Sequence, residues 1–472
     1  MRFKDVHITV AGLGVSGRAA ARVLAERGAA VTAVDARTEN DGVEGLDELR
    51  AVGVTVRLGD GATLPEGTEL VVTSPGWKPS TPLLAAAAAR GIEIIGEVEL
   101  AWRLRPAEGA APWLALTGTN GKTTAVRMLT SILTAAGHDA VAVGNVGEPI
   151  VEAVLAGHDV LAVELSSYQL HWSSSLAPHA AAVLNVAPDH LDWHGSLEAY
   201  AEAKGKIYGP GTIRVCNADD ETAAALAGPD AYGFTLRMPS SGQFGVVEDL
   251  LVDRATVADP ARSADELAEL RDVVPFAPHN VANALAAAAL ARAFGVPTEA
   301  VREGLRAFRP DPHRIAFVAD VGGVAYVDDS KATNPHAAAA SLAAYEHIVW
   351  IAGGLLKGAD VDDLVAAAAP RLRGAVLLGA DRARIAEALA RHAPQVPVIE
   401  VAATDTDAMD LVVNQAARLA QPGDTVLLAP SAASMDMFAD YKARGNAFAA
   451  AVERLAGADP AGGPAGGERP GP

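Results

Sequence analysis

The 472-residue sequence has very little cysteine and little lysine. Its single cysteine, Cys216, excludes an internal disulfide and fits a reducing compartment, so we expect a cytoplasmic protein. Only eight of the 38 basic residues are lysines. Arginine cannot replace lysine where a compact ammonium group or a neutral amine is needed, so each lysine is a candidate for a specific role.

Long apolar runs and an excess of positive charge are also missing. The Ala-rich runs, such as residues 285–290, are far shorter than the roughly 20 apolar residues that span a bilayer. The first ten residues lead directly into a predicted strand, which is not the pattern of a signal peptide. The net charge of −20 argues against sequence-independent binding of nucleic acid. We therefore expect neither a membrane nor a nucleic acid among the partners.

The chain is long enough for several domains, and predicted strands alternate with predicted helices along most of it. This alternation is typical of parallel sheets in α/β proteins. A break rich in Pro and Gly at residues 105–112 and a Pro-rich break at residues 308–314 divide the chain. We predict three α/β domains: a Rossmann-like N-terminal domain (1–107), a central P-loop ATPase-type domain (108–310) and a Rossmann-like C-terminal domain (311–456). The tail, 457–472, has nothing to bury and is predicted to be disordered.

The strongest functional signal is the segment Thr-Gly-Thr-Asn-Gly-Lys-Thr-Thr at residues 117–124, after a predicted strand at 113–116. Glycines let backbone N–H groups close around phosphate oxygens, and the following helix adds positive potential. Lys122 can reach the β- and γ-phosphates, and the Thr123 hydroxyl can bind Mg²⁺. Leu116 stands where the general P-loop has glycine, so the loop is a tighter variant. The alternative is an ordinary turn before a helix.

A second glycine-rich turn follows the first predicted strand. Gly12, Gly14 and Gly17 form a G-x-G-x-x-G pattern, and Asp35 ends the second predicted strand. Taken alone, this pattern indicates a dinucleotide site with Asp35 on a ribose hydroxyl, although such loops also hold other phosphates or nothing. The phosphate loop downstream favours a ligand used together with ATP over NAD.

Three further residues of the central domain stand out, and one of them suits a metal ion. Glu164 ends the predicted strand 160–164, where a carboxylate faces the ligand crevice and suits Mg²⁺; the alternative is a salt-bridged strand end. His190 follows another predicted strand, although a loop histidine alone is more often solvated. Lys204 lies on a helix with Ser196 as its N-cap and, without further context, would face solvent.

One pair of asparagines and three polar loops are the remaining candidate ligand-binding sites. Asn280 and Asn283 share a helix face and can offer amides to a base or ribose, although Asn280 could simply cap the helix. In the last domain, three strand ends lead into polar or Gly-rich loops at 328–335, 353–358 and 429–436. Together these loops predict a composite anion site, whose two lysines suit a doubly charged carboxylate or a phosphate.

These segments together resemble the Mur ligases, ATP-dependent amide-forming enzymes of peptidoglycan precursor synthesis. The resemblance extends to about residue 455 and rests on motifs in the family's order. They are G-T-N-G-K-T, E-L-S-S-Y-Q, P-D-H-L-D, A-x-x-K-x-K-I-Y, H-N-x-x-N, P-H-R and D-D-S-K-A-T-N. The first glycine-rich turn and the last-domain loops are most similar to the members that add D-glutamate. By that resemblance the first domain holds UDP rather than NAD.

The resemblance implies a role for each matching residue. The implied ATP contacts are Gly118, Thr119, Asn120, Gly121, Lys122, Thr123, Thr124, Asn280, Asn283, Arg314 and Asp329. The implied contacts of the UDP substrate are Val15, Ser16, Asp35, Arg37, Ser74, Gly76, Asn145 and Gln169. The implied D-glutamate contacts are Thr333, Lys357, Ser434 and Tyr441. The implied metal ligands are Thr123, Glu164, His190 and Lys204, and the implied catalytic residues are Lys122, His190, Lys204 and Lys331.

The implied reaction adds D-glutamate to UDP-N-acetylmuramoyl-L-alanine through an acyl phosphate. It would use ATP, two Mg²⁺ ions and a carbamylated Lys204, and we expect the enzyme to be a monomer. The nearest alternatives are a sister Mur ligase that adds another amino acid and a folylpolyglutamate synthase. Outside this class, residues 12–35 would suit an NAD-dependent dehydrogenase, and the phosphate loop would suit a nucleotide-binding regulator without turnover.

Overall fold

The computed structural model of the chain describes residues 3–403 and 408–458 and contains three separate β-sheets. The sheets lie within residues 7–96, 113–269 and 316–428, one in the range of each predicted domain. Helices connect successive parallel strands, as the alternation of strand and helix predicted. The three-domain α/β fold class is thereby confirmed, while the individual domain boundaries stay predictions.

The first sheet has five parallel strands in the order β3-β2-β1-β4-β5. Its inner strands are short apolar runs, as expected for a parallel sheet with both faces covered. Its strands are β1 (His7–Ala11), β2 (Ala30–Asp35), β3 (Thr55–Leu58), β4 (Leu70–Thr73) and β5 (Glu93–Gly96). Its helices are α1 (Val15–Glu26), α2 (Leu46–Ala51), α3 (Pro82–Ala89) and α4 (Glu97–Leu104).

The second sheet has nine strands in the order β14-β13-β12-β11-β10-β9-β6-β8-β7. Only β13 and β14 are antiparallel to their neighbours, and they extend one edge. The strands are β6 (Trp113–Thr117), β7 (Ala140–Gly144), β8 (Val160–Glu164), β9 (Ala180–Val183), β10 (Ile213–Asn217), β11 (Tyr232–Phe234), β12 (Gln243–Val247), β13 (Leu250–Asp253) and β14 (Asp265–Glu269). The helices are α5 (Lys122–Ala135), α6 (Ile150–Ala156), α7 (Ser167–His171), α8 (Leu191–His194), α9 (Leu197–Gly205), α10 (Glu221–Ala227), α11 (Pro278–Ala293) and α12 (Thr298–Ala307).

The third sheet has six strands in the order β15-β16-β20-β17-β18-β19, and only β15 is antiparallel to its neighbour. The strands are β15 (Ala316–Val321), β16 (Val324–Asp328), β17 (Ile348–Gly353), β18 (Leu372–Leu378), β19 (Val398–Glu400) and β20 (Thr425–Leu428). The helices are α13 (Pro335–Leu342), α14 (Asp362–Ala368), α15 (Arg382–His392), α16 (Ala408–Leu419) and α17 (Tyr441–Ala458). Helix α17 runs two residues into the range predicted as a tail, and residues 459–472 lie outside the described residues.

The chain forms two compact units. The first extends to Asp272 and includes Ala282–Phe308, so it contains the first two sheets; the second comprises Val273–Val281 and the residues from Arg309 onward. A single hydrophobic cluster in the first unit includes buried residues from both of its sheets, such as Val10 of β1 and Leu161 of β8. No helix within residues 3–403 and 408–458 is long and apolar enough to cross a membrane.

Several predicted elements coincide with observed ones. The strands predicted at 30–35 and 160–164 are β2 and β8, and Ser196 caps α9 by accepting a hydrogen bond from the Ala199 N–H at 3.2 Å. The strand predicted at 181–185 ends earlier, at Val183. The two residues that follow it belong to the loop that supports the phosphate loop.

The third glycine of the first turn is required by close packing. A Cβ at Gly17 would lie 1.8 Å from the Gly12 carbonyl oxygen, whereas a Cβ at Gly14 would meet nothing within 4 Å. We expect Gly17→Ala to destabilise the protein by about 1–3 kcal/mol in urea unfolding, because helix α1 must move away from β1. The control Gly14→Ala should change stability by less than about 1 kcal/mol. Equal effects of the two substitutions would contradict this explanation.

Candidate active site

The phosphate loop, residues 118–121, connects the end of β6 to the first turn of α5. Gly121 has a φ of 82°, and a Cβ there would lie 2.3 Å from Oδ1 of Asn283, so glycine is required. The Asn120 N–H donates to Asn185 Oδ1 at 2.9 Å, and Asn185 Nδ2 donates to the Asn120 carbonyl at 3.1 Å. This reciprocal pair ties the phosphate loop to the loop after β9.

Two lysine side chains meet at one carbonyl oxygen of this loop. Lys122 Nζ and Lys204 Nζ each donate to the Gly118 carbonyl at 2.8 Å. Lys204 is only 1% exposed, and its Nζ lies 4.4 Å from the ring centre of Tyr200. Burial and the charge of Lys122 lower the pKa of Lys204 well below its ordinary value, while Asp189 opposes the shift. Lys204 is thus favoured as a neutral amine, and the positive charge of Lys122 lies where the N-terminus of α5 already favours anions.

Tyr200 links the helix of Lys204 to the same loop. Its hydroxyl lies 3.0 Å from Oγ1 of Thr119, which also donates to the Ala187 carbonyl at 3.1 Å. The Ala187 N–H in turn donates to Thr119 Oγ1 at 3.0 Å. Thr119, predicted as an ATP contact, is therefore largely occupied in holding the loop to its neighbours.

Glu164 ends β8, the strand next to β6, and has one buried carboxylate oxygen without a partner. It is paired in register with Leu116 of β6. Its Oε1 accepts a hydrogen bond from Asn145 Nδ2 at 2.7 Å, whereas Oε2 has no hydrogen-bond partner among the described residues. A buried carboxylate oxygen left unpaired is costly unless a cation or water binds it. Glu164 therefore fits a Mg²⁺ ligand, and the other predicted ligand, Thr123, lies in the first turn of α5.

His190 lies at the N-cap of α8 in the left-handed conformation, with a φ of 54°. Its Nδ1 lies 3.5 Å from Oδ1 of Asp189. Burial lowers the pKa of His190, Asp189 raises it, and the charges of Lys122 and Lys204 lower it further. The net lowering favours the neutral imidazole, which is the form that binds a metal ion. The described residues contain no group of three or more His, Cys, Asp or Glu able to hold a metal, so the metal would also need hydroxyl or modified-lysine ligands.

A cavity of about 250 Å³ brings together four of the eight residues predicted to contact the UDP substrate. These four are Val15, Ser16, Asn145 and Gln169. The other lining residues are Pro75, Gly144, Val146, Gly147, Glu148 and Pro149. Because Asn145 also holds Glu164, one side chain connects the cavity to the candidate magnesium ligand.

The other four predicted substrate contacts do not line this cavity. Arg37 donates to Asp35 through Nε at 3.0 Å and Nη2 at 2.8 Å, and the Leu13 N–H donates to Asp35 at 2.6 Å. Burial raises the pKa of Asp35, but these hydrogen bonds lower it more, to about 2. Asp35 therefore fixes the glycine-rich turn, which disfavours a role on an NAD ribose.

Ser74 and Gly76 also have partners within the first unit. Ser74 donates to the Gly12 carbonyl at 3.1 Å, and the Gly76 carbonyl accepts from the Trp193 indole at 3.3 Å.

The two asparagines of α11 are both buried but have different surroundings. Asn283 lies against Gly121 of the phosphate loop. Asn280 donates through Nδ2 to the Pro275 carbonyl at 2.9 Å. Asn283 is thus next to the phosphate loop, and both asparagines remain predicted ATP contacts.

In the second unit, one buried arginine joins the three loops predicted to form an anion site. The guanidinium of Arg444, 1% exposed, donates to the carbonyl and hydroxyl of Ser330 at 2.9 and 3.0 Å. It also donates to the carbonyls of Ala432 at 3.1 Å and Gly353 at 3.4 Å. Ser330 follows β16, Ala432 follows β20 and Gly353 is the last residue of β17, so Arg444 joins the three strand ends.

The predicted amino-acid-binding residues occupy these loops and the start of α17. Lys331 Nζ lies 4.0 Å from the ring centre of Tyr441, and the Thr333 N–H donates to the Lys331 carbonyl at 2.8 Å. Lys357 is exposed and has a φ of 52°, while Ser434 is buried. The lysines therefore differ in setting, one lying over an aromatic ring and the other extending from a turn.

Asp329 and Arg314, predicted to contact ATP, lie in the same unit. Asp329 is buried and accepts hydrogen bonds from the Ile315 N–H at 3.3 Å and from the Ser341 hydroxyl. Burial raises the pKa of Asp329 to about 6, although Ser341 and the charge of Arg314 oppose it. Arg314 Nε lies 4.0 Å from Asp311 Oδ2.

Comparison with known proteins assigns the chain to one family along most of its length. Residues 6–96 match the Mur ligase MurD-like N-terminal domain, residues 116–291 the Mur ligase middle domain, and residues 313–432 the Mur ligase glutamate ligase domain. The chain belongs to the Mur ligase family. Each of the three sheets thus corresponds to one of the domains of a Mur ligase.

Relatives and solved structures agree with this assignment. The UDP-N-acetylmuramoylalanine–D-glutamate ligase of Thermobifida fusca is 62% identical over 97% of the chain and 100% of its own length. The protein of that name from Streptomyces avermitilis is 64% identical over 95% of the chain and 98% of its own length. The UDP-N-acetylmuramate–alanine ligase structure from Thermotoga maritima, 20% identical, covers 96% of the chain with a TM-score of 0.57, which shows the shared fold.

Sequence reasoning missed several residues that organise the Mur ligase sites. Tyr200 lies one helical turn before Lys204, and that spacing could have indicated that the two side chains meet. Arg444 contacts groups 12 to 114 residues away, for which the local sequence carries no signal. Glu97, buried at the start of α4, also gave no sign of its position.

Arg444 should be needed for the stability of the second unit. We expect Arg444→Lys to lower the free energy of unfolding by roughly 2–4 kcal/mol, because an ammonium group cannot replace the forked donors and leaves buried carbonyls unpaired. Chemical unfolding monitored by tryptophan fluorescence would measure the loss.

The matched control is Arg454→Lys on the same helix. Arg454 is exposed and pairs with Asp410 at 2.6 Å, so its replacement should cost less than about 1 kcal/mol. If the two substitutions destabilise equally, Arg444 does not have the organising role inferred from its contacts.

Proposed function

We propose that the chain is an ATP-dependent ligase that joins D-glutamate to UDP-N-acetylmuramoyl-L-alanine in peptidoglycan precursor synthesis. Its relatives with 62–64% identity carry the name of that enzyme. The observation that carries the proposal is the convergence of Lys122 and Lys204 on the Gly118 carbonyl. A charged Lys122 beside a buried, neutral Lys204 suits a reaction that must bring a carboxylate up to a triphosphate.

The phosphate loop would hold ATP through its backbone N–H groups and Lys122. In the structure, Lys122 donates to the carbonyls of Gly118 and Thr119 at 2.8 Å each, so its ammonium group lies within the phosphate loop. Asn283 would contribute an amide beside Gly121, and Asn280, Arg314 and Asp329 are proposed as further contacts.

Magnesium ions would be held by Glu164 with Thr123 and by His190 with a modified Lys204. The unpartnered Oε2 of Glu164 supports the first of these assignments. When bound, such ions neutralise charge that develops on phosphate oxygens. The protein's own contribution is to fix the carboxylate through Asn145 and to keep the His190 imidazole neutral.

Lys204 is proposed to carry a carbamate. Its burial favours the neutral amine, whose lone pair can attack CO₂. An N–C bond forms as one C–O π bond opens and leaves its electron pair on oxygen, and the nitrogen loses a proton to solvent. The product replaces a neutral amine with an anionic oxygen donor close to the ammonium group of Lys122.

The proposed reaction has two steps. An oxygen of the terminal L-alanine carboxylate attacks the γ-phosphorus of ATP, and ADP leaves. The amine of D-glutamate then attacks the acyl carbon, and phosphate leaves from the tetrahedral intermediate as the nitrogen loses a proton. Lys122 would reduce the repulsion between carboxylate and triphosphate in the first step.

Three groups of partners follow from this proposal. The substrates would be ATP, UDP-N-acetylmuramoyl-L-alanine and D-glutamate. Val15, Ser16, Asn145 and Gln169 of the cavity would contact the nucleotide substrate. Thr333, Lys357, Ser434 and Tyr441 would hold D-glutamate, with Lys331 near the transferred phosphate. A cytoplasmic monomer stays our expectation.

The decisive test is phosphate release with UDP-N-acetylmuramoyl-L-alanine, ATP and a panel of amino acids. We expect release with D-glutamate and at least about 100-fold less with L-glutamate, D-aspartate, L-alanine or L-lysine, because charge spacing and chirality set the fit. UDP-N-acetylmuramate without the alanine serves as the control acceptor.

Other outcomes would select another function. Release with a different amino acid would assign the chain to a sister ligase, and release with a folate acceptor and L-glutamate to folylpolyglutamate synthesis. ATP binding without release in any combination would indicate a regulator. Tight binding of NADH without any need for ATP would favour a dehydrogenase.

The carbamate predicts chemical rescue. We expect Lys204→Ala to lower turnover by on the order of 100-fold or more, and small carboxylic acids such as acetate to restore part of it by supplying the missing oxygen donor. Turnover at saturating substrates would be measured against acetate concentration.

The control is Lys206→Ala, which removes an exposed lysine two residues away that donates to the His171 carbonyl. It should keep near-normal turnover and show no response to acetate. If Lys204→Ala turns over as fast as the unaltered protein in the absence of acetate, the proposed carbamate is wrong.

A further inference from the structure

A buried carboxyl group lies behind one wall of the cavity. Glu97 begins α4, is 2% exposed, and accepts a hydrogen bond at Oε1 from the Val151 N–H at 3.3 Å. The hydroxyl of Ser16 and the backbone of Ile150 also interact with this carboxyl. Its Oε2 is buried with no hydrogen-bond partner among the described residues.

These contacts place Glu97 between two elements that line the cavity. Ser16 belongs to the first turn of α1 and lines the cavity itself. Ile150 and Val151 form the first turn of α6, directly after the lining residue Pro149. A single carboxyl group therefore fixes the relative position of two cavity walls.

The cavity has an unusual lining for a site that binds an anionic ligand, because basic side chains are missing from its described lining residues. None of the described residues that line it is Lys or Arg, and one of them, Glu148, is acidic. The proposed substrate carries two phosphate charges. The N-terminus of α1 has no acidic residue in its first turn and can offset part of that charge, but not all of it.

The charged groups around Glu97 give it little support as an anion. Glu152, on α6, opposes ionisation but is itself paired with Arg22 of α1 at 2.5 Å. Glu99, the next acidic residue on α4, is paired with Arg103 at 2.7 Å. Neither arginine contacts Glu97 among the described interactions, so neither compensates a charge on it.

We infer that Glu97 is a positioning residue for the nucleotide substrate, and that it takes up a proton from solvent when the diphosphate enters the cavity. The inference rests on the proposed function for the identity of the ligand. A protonated Glu97 still accepts at Oε1 from the Val151 N–H, so the two walls stay joined. Its neutral form removes a negative charge behind Ser16, where the diphosphate would otherwise be repelled.

The electrostatics agree with this geometry. Burial raises the pKa of Glu97 to about 7, and the charge of Glu152 adds to the rise, while hydrogen bonds from Ser16 and the backbone oppose it. The free protein thus contains both forms near neutral pH. A nearby anion disfavours ionisation further, so the carboxyl has a higher pKa in the complex than in the free protein.

The sign of the pH dependence follows. Because the complex binds the proton more tightly than the free protein, affinity is greatest below the pKa of the free protein and falls as pH rises through 7. The fall should be up to about tenfold for each unit by which the ligand raises the pKa. The substrate's phosphodiester groups and terminal carboxylate do not titrate in this range.

Calorimetric titration of the whole chain with UDP-N-acetylmuramoyl-L-alanine, without ATP, tests the inference. Binding heats at pH 7 in PIPES and in Tris, which differ in ionisation enthalpy, give the number of protons taken up. We expect the uptake of a fraction of a proton per substrate, because part of the Glu97 carboxyls is ionised beforehand. The uptake should vanish at pH 5.5, where free Glu97 is already protonated.

Two variants assign the proton to this residue. Glu97→Gln keeps the size and hydrogen bonds of the neutral carboxyl, so it should bind within about threefold of the unaltered protein at pH 7, with a smaller uptake and a flatter pH dependence. Glu48→Gln, which removes an exposed carboxylate of the same domain, should behave as the unaltered protein does. If Glu97→Gln fails to fold, Glu97→Asp takes its place; the shorter side chain should weaken binding and change the uptake.

Each outcome is decisive. Proton uptake that Glu97→Gln abolishes or reduces supports the inference. Binding without uptake, or with an uptake that Glu97→Gln leaves unchanged, overturns it while leaving the proposed function intact. No binding together with no phosphate release in the ligase assay overturns the proposed function and this inference with it.

Discussion

The sharing of the Gly118 carbonyl by Lys122 and Lys204 is the constraint on which the candidate active site depends. Each Nζ lies 2.8 Å from the same oxygen, so the two nitrogens cannot be farther apart than twice that distance. Two charged ammonium groups so close together in a buried setting repel each other strongly. The structure relieves this by favouring a neutral Lys204, while an anion in the loop would stabilise the charge on Lys122. Binding of phosphate and the protonation state of Lys204 are therefore linked.

The surrounding elements keep this pair in place. The ring of Tyr200 packs against the Lys204 amine and its hydroxyl contacts Thr119, so Tyr200 joins helix α9 to the phosphate loop. Asn185 fixes the other side of the loop through two reciprocal hydrogen bonds. With the loop held on both sides, Glu164 on the neighbouring strand keeps a constant position relative to it. An unpartnered carboxylate oxygen at that position is costly in the isolated protein and useful once a cation binds.

Much of this was predictable because strand ends in parallel sheets meet at one edge. The sequence near Lys122 and Glu164 contains a buried strand followed directly by a polar residue, so their location at the sheet edge followed from local pattern alone. The three sheets with their connecting helices were predictable from the alternation of strand and helix patterns along the chain. The role of Asp35 was not predictable, because the motif does not show that Arg37 and the Leu13 N–H occupy its carboxylate. Arg444 and Glu97 depend on contacts between distant segments, which periodicity and motifs do not record.

The first unit contains the two proposed sites for phosphate groups, and they differ in how charge is balanced. The phosphate loop has the ammonium group of Lys122, a helix N-terminus and a carboxylate that suits a metal ion, so positive potential would face a triphosphate that must react. The cavity near Ser16 has no lysine or arginine among its described lining residues and is backed by the carboxyl of Glu97. A site that only binds its phosphates gains nothing from strong cations, which would slow product release. Weak, adjustable compensation by a helix terminus and one proton suits a substrate that must enter and leave in every cycle.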